Sequence, residues 1–282
     1  MPVKNRSPRQ LLLALFGENL DDEASRSVRT GALIAAREPL GVTPSAVRVA
    51  LNRLVHTGVL KRRRHGRETD FSLTETGIDV LTEARERVRR PELILVDKIG
   101  WTLCTFSVPE QQRATRHRLR SILTWADFAP VRDGLWLAPG EVDLTVPLRP
   151  LKGTLPEGSL LAFHASVLPG FPIGPAVRQA WDIEAIRAAH TDFIATWSDA
   201  AVADDIGTGL AAMTALVADW LSLLRADPGL PREYMGSSYA SERSVQLYTH
   251  LRQAWGPTAR EEFAELRAGR QTGPRQVSSL SL

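Results

Sequence analysis

The chain has 282 residues, 43% of them hydrophobic and 24% charged, with a net charge of +3. That composition suits a globular protein with a real core, and at ~100–200 residues per domain the length predicts two or three domains. No run of about 18 apolar residues suggests a membrane span, no secretory leader is read, and the single cysteine, Cys104, excludes an intramolecular disulfide, so the cytoplasm is expected.

The charge is unevenly placed. Between Arg26 and Arg67 stand ten basic residues against one acid, Glu38. Such a segment is the footprint of a face that meets a polyanion, although a solvated surface can carry the same count. The local pattern decides between them. Arg9–Phe16 reads as a short apolar helix ending near Gly17, followed by an acidic connector over 18–23. Ser27 is placed to cap a second helix, about Val28 to Arg37, with Leu33 and Ile34 inward. Pro39-Leu40-Gly41-Val42 is a turn. Thr43-Pro44 then opens a helix: a hydroxyl cap, followed by proline where no N–H is needed.

In that helix, Pro44 to His56, Val47, Ala50, Leu51, Leu54 and Val55 share a face at 3.6-residue spacing. The opposite face carries Ser45, Arg48, Val49 and Asn52, with Arg53 at its edge. Helix, glycine-containing turn and polar-faced helix form the helix-turn-helix pattern, whose second helix enters the major groove. Ser45, Arg48, Val49 and Asn52 are the candidate base readers: Arg48 matches guanine, Asn52 adenine, and Ser45 a base or a phosphate. Alone, the same helix would read as an amphipathic surface element.

The segment after this helix favours DNA. Thr57-Gly58 stops the helix, Val59–Arg64 is extended, His65–Glu68 can turn, and Thr69–Leu73 returns with alternating polarity. This predicts a basic hairpin, or wing, in which Arg62, Arg63, Arg64, His65 and Arg67, with Thr43 and Arg53, grip the DNA backbone. A further helix, Ile78 to Arg89, precedes Pro91.

Trp101–Val108 reads as a buried strand, and Pro109 starts a helix through about Leu123. Phe128–Val131 and Leu135–Leu137 flank a turn at Asp133-Gly134. A weak helix over about Glu141–Leu151 and a strand over Leu160–Val167 complete βαββαβ, a ferredoxin-like order. Its first helix aligns Arg113, Arg116, His117 and Arg120, a solvated helix face or a contact with flanking DNA or ligand phosphates; Arg113, Arg116 and Arg120 are the candidate effector contacts. Helices are predicted over Trp181–Trp197, Gly209–Arg225 and Ser241–Trp255. The six histidines share no metal spacing, and no nucleophile elbow, P-loop or dinucleotide fingerprint occurs, so no catalytic set, metal or cofactor is expected. His190 with Asp192 is the most notable polar pair outside the basic segment, and a solvated helix edge explains it.

Several short motifs carry a resemblance: Leu12-Leu-Ala-Leu-Phe-Gly17, Leu40-Gly-Val-Thr-Pro-Ser-Ala-Val-Arg48, Asn52-Arg-Leu54 with Gly58-Val-Leu-Lys-Arg62, and Leu73-Thr-Glu-Thr-Gly77. Trp101-Thr-Leu103, Val108-Pro-Glu110 and Gly134-Leu-Trp136 continue it. In order and spacing the chain resembles the PaaX family, repressors of bacterial phenylacetic-acid degradation operons. Where that family would carry Trp-Pro-Gly before the last helix, this chain has Tyr239-Ala-Ser241.

The resemblance implies an α+β multidomain protein. Its expected parts are an N-terminal winged helix-turn-helix (1–95), a ferredoxin-like dimerisation domain (96–175), a helical, effector-binding C-terminal domain (176–270) and a flexible tail (271–282). It also implies a homodimer on double-stranded operator DNA, released by an acyl-CoA such as phenylacetyl-CoA. The middle domain is similar to the ferredoxin-fold nuclease of CRISPR adaptation as well, so a metal-dependent nuclease is the alternative. That nuclease has a metal-binding aspartate at the end of its first strand, where this chain has a neutral hydroxyl, around Ser107.

Overall fold

The computed structural model describes residues 6–19, 27–66, 68–199 and 205–269. Contacts divide the described residues into two compact units. The first takes the described residues of Met1–Leu93, Asp192–Ser222 and Glu242–Leu282; the second takes Ile94–Thr191 and Leu223–Ser241.

The first unit opens with α1 (Pro8–Glu18), whose start is set by a reciprocal cap between Ser7 and Gln10. Leu11, Leu12, Leu15 and Phe16 are buried on it, and Gly17 lies inside the helix rather than ending it. The expected helix from Val28 to Arg37 is shorter than its sequence suggests. Ser27–Arg29 is strand β1, and only Thr30–Ala35 is helical (α2). Ser27 therefore does not cap a helix. Its segment pairs antiparallel with Ser72–Asp70, which satisfies a sheet edge that a helix would have left open.

A 3-10 turn, Glu38–Leu40, leads through Gly41 at φ +70° to α3 (Pro44–His56). Strands β2 (Leu60–His65) and β3 (Glu68–Leu73) form the expected hairpin, and the three-stranded sheet runs β1-β3-β2. Helix α4 (Glu75–Arg89) follows, begun by a cap from Thr74 within the segment that the sequence reads as its opening.

The second unit holds β4 (Trp101–Phe106), α5 (Arg113–Trp125), β5 (Ala129–Arg132), β6 (Leu135–Pro139) and β7 (Leu160–Ala165). The sheet is wholly antiparallel in the order β5-β6-β4-β7. Alternation splits its side chains between two cores. Cys104, Trp136 and Ala138 join α5 through Leu119 and Leu123 on one face, and Trp101 and Leu137 join Val177, Ile186 and Met235 on the other. The second helix of βαββαβ is not formed: over 141–151 only Arg149–Leu151 makes a 3-10 turn. Pro147 and Pro150 interrupt the stretch, and the Asp143 carboxylate accepts from the Thr145 amide at 2.7 Å, a local turn that competes with a helix.

The remaining helices are α6 (Gly174–Ala180), which the sequence does not announce, α7 (Ile183–Trp197), α8 (Gly209–Ala226), α9 (Arg232–Met235) and α10 (Ser241–Arg267). Helix α10 does not stop near Trp255 but continues through Pro257. Helix α8 is long and apolar enough to cross a membrane by composition, yet 72% of it is buried inside the fold. Within the first unit Trp220 of α8 stacks on Tyr248 of α10 at 4.3 Å, and Trp197 packs on Trp255 at 5.8 Å. The tail after 269 lies outside the described residues.

Candidate nucleic-acid interface

The geometry of α3 follows from its first residue. The Thr43 hydroxyl accepts from the Ala46 amide at 3.3 Å, and Pro44 takes the first helical position. Val47, Ala50, Leu51 and Leu54 then fall inward and are buried. The same rotation leaves Ser45, Arg48, Val49, Asn52 and Arg53 exposed, with Val49 at 52%. An exposed valine among polar neighbours costs hydration unless a partner covers it.

The far end of α3 is locked to the hairpin. Gly58 at φ +73° turns the chain out, and the Val59 amide donates to the Leu54 carbonyl at 3.0 Å. The Thr74 hydroxyl donates to the Gly58 carbonyl at 2.6 Å and accepts from the Gly77 amide at 3.0 Å. One side chain thus ties the end of α3 to the start of α4, with β2 and β3 between them.

The register divides the basic run of β2. Arg62 stands opposite Phe71 and Arg64 opposite Thr69, whereas Arg63 faces Asp70 and His65 faces Glu68. Arg62 and Arg64 therefore share a face with no acid across from them, while Arg63 and His65 sit over carboxylates. All four are exposed, and the Arg64 Nε donates to the Gly66 carbonyl at 3.1 Å. Arg67 lies outside the described residues.

Two features escape sequence reasoning. Arg48 borders a cleft lined also by Arg29, Thr30, Glu68, Leu266 and Gly269, so the end of α10 reaches the exposed face of the N-terminal helices. Arg29 donates to the Arg267 carbonyl at 2.8 Å and lies 3.8 Å from Glu68. Arg37, in the turn before α3, is fully buried, and none of its three guanidinium nitrogens has a hydrogen-bond partner among the described residues. Burial pulls its pKa down to about 9. Neither feature has a signal in local sequence.

The remaining candidates lie in the second unit. On α5, Arg113 pairs with Glu110 at 2.9 Å, Arg116 donates to the Val108 carbonyl, and Arg120 is exposed. His190 does not pair with Asp192. It is buried against Asp227 at 2.9 Å, and Asp227 also accepts from Tyr239 and from the Gly229 amide, a polar network inside the unit. Burial beside Asp227 drives the Tyr239 hydroxyl well above its ordinary range. Ser107 is exposed, with its amide bonded to the Ser159 carbonyl at 2.7 Å. Among the described residues no cluster of histidine, cysteine or carboxylate side chains could hold a metal.

Three family models match the chain: PaaX-like protein over residues 7–77, PaaX protein central Cas2-like domain over 98–148, and PaaX-like protein C-terminal domain over 181–265. The transcriptional repressor PaaX of Escherichia coli (strain K12) is 23% identical over 273 residues, covering 92% of this chain and 83% of that protein. Among solved structures, the uncharacterized protein Rv0674 from Mycobacterium tuberculosis has a TM-score of 0.47 at 20% identity, over 82% of this chain and 89% of that one.

Proposed function

The chain belongs to the PaaX family, and from that premise we propose that it is a transcriptional regulator that binds operator DNA through a winged helix-turn-helix. Helix α3 enters the major groove, with Ser45, Arg48, Val49 and Asn52 toward the base edges. Thr43, Arg53 and the hairpin residues Arg62, Arg63, Arg64, His65 and Arg67 hold the phosphates. The observation that carries this reading is one helix that buries Val47, Ala50, Leu51 and Leu54, with an exposed Ser-Arg-Val-Asn face and an exposed arginine hairpin locked to its end.

The protein acts in the cytoplasm as a homodimer joined through its central antiparallel sheet. Two-fold symmetry then sets two α3 helices on the half-sites of an inverted repeat. It represses an operon for aromatic or acyl-CoA catabolism, and a CoA thioester releases it by favouring a state whose helices no longer fit the DNA. A mobility shift on the chain's own upstream DNA tests the reading. Arg48→Ala and Arg64→Ala should each weaken the complex; parent-like binding by both variants defeats the assignment.

A further inference from the structure

A cavity of about 730 Å³ opens within the first unit, bounded by α1, the end of α4, α8 and α10. Its volume falls in the ~300–1,000 Å³ range of small-molecule sites. Leu15, Leu210, Met213 and Phe263 form its apolar wall, and each is buried. Its charged wall holds four arginines, Arg89, Arg252, Arg260 and Arg267, against one carboxylate, Glu18. That carboxylate is already engaged, accepting from Arg252 Nη2 at 2.9 and 3.1 Å. The Arg252 Nε is buried and has no hydrogen-bond partner among the described residues. Burial works against the Arg252 charge, but Glu18 together with Tyr248 more than offsets it and holds the guanidinium above its ordinary pKa. A wall rich in guanidinium groups beside an apolar floor is suited to a ligand with one end of each kind.

The geometry points to this cavity as the binding site of an amphipathic anion, an aryl or acyl group bearing a carboxylate or phosphate. This rests on the ligand-responsive reading of the protein and supplies its site. The apolar group lies on Met213 and Phe263, while the anion meets the guanidinium groups of Arg260 and Arg252. There it competes with Glu18 for one guanidinium. That competition matters because the Glu18–Arg252 pair holds the last turn of α1 to α10, and α1 packs directly on α3 and α4. Helix α10 also ends beside Arg29 and Arg48. A ligand that draws Arg252 from Glu18 therefore loosens the support of α3, and by reciprocity DNA binding weakens the ligand.

Calorimetric titration of the full chain tests this with phenylacetyl-CoA, phenylacetate and coenzyme A as probes. Arg260→Gln removes an exposed charge-assisted contact and should weaken binding by about tenfold. Glu18→Gln removes the competitor and should tighten it, an effect that a purely structural ion pair does not produce. Binding of phenylacetate assigns the anion as a carboxylate, and binding of the thioester alone assigns it as phosphate; either result with the Arg260→Gln loss upholds the site. If Glu18→Gln fails to fold, Arg260→Gln decides by itself. Parent-like affinity in Arg260→Gln, with loss in Arg120→Gln on α5, overturns the cavity and leaves the ligand-responsive reading standing. A parent that binds its DNA but none of the probes overturns both.

Discussion

Gly77 of α4 lies close against the backbone at the start of the hairpin, and its replacement by alanine has a sign that can be worked out. A Cβ there would stand 2.2 Å from the Val59 carbonyl oxygen and 3.2 Å from Leu73 Cδ2. Carbon–oxygen contacts settle at ~3.3–3.6 Å, so α4 or the start of β2 must retreat by about 1 Å. The obstacle is backbone, and that carbonyl is occupied, accepting from the Thr74 amide at 3.1 Å. Overpacking of this kind costs about 1–3 kcal/mol, from which alanine's helix preference recovers up to ~1 kcal/mol. The net loss of about 1–2 kcal/mol should lower the melting temperature by roughly 2–8 °C. Gly17 is the matched control: it is helical, with nothing within 4 Å of its would-be Cβ. Gly17→Ala should gain up to ~1 kcal/mol. Far-UV circular dichroism melts read both, and a Gly77→Ala protein melting at or above the parent would refute the close-approach argument.

Arg48→Ala should lose about 1–3 kcal/mol on its preferred DNA and little on unrelated DNA, as read by fluorescence anisotropy with both duplexes. Arg64→Ala should weaken all sequences alike and reduce the slope of log K against log salt by about 0.9, if it contacts one phosphate. Arg37→Met, which removes a buried guanidinium with no hydrogen-bond partner among the described residues, should stabilise the protein by about 1–4 kcal/mol in urea titrations. With its folded pKa depressed to about 9, Arg37 sheds its proton in the folded state first, so stability attributable to it rises as pH climbs past that value. The gap between parent and Arg37→Met should therefore narrow above about pH 9; a gap that widens there contradicts the burial argument. Cys104 is buried, and burial pushes its thiol up to about 11, so thiol reagents should label it only after denaturation.

Local reasoning succeeds where a few neighbouring residues determine the outcome. Thr43-Pro44 and a 3.6-residue apolar repeat produce α3 over Pro44–His56 as expected, and the same repeat decides which side chains stay exposed. Asp133-Gly134 turns β5 into β6 in the same way, with Gly134 at φ +73°. Reasoning from neighbours fails where distant chain decides. Ser27-Val28-Arg29 has the residues of a helix start, but the open edge of β3, more than forty positions on, makes it a strand. His190 has Asp192 two positions away and pairs instead with Asp227.

Charge, cap and periodicity are properties of adjacent residues, so the polyanion-binding character of the N-terminal segment is legible in the chain alone. The rest needs the folded molecule. The division of the wing arginines into two faces depends on strand register. The burial of Arg37 depends on packing around the turn before α3. The arginine-walled cavity depends on bringing Glu18 to Arg252, 234 positions along the chain. Contacts at such separations are selected by the shared burial of whole helices, which no window of neighbouring residues contains.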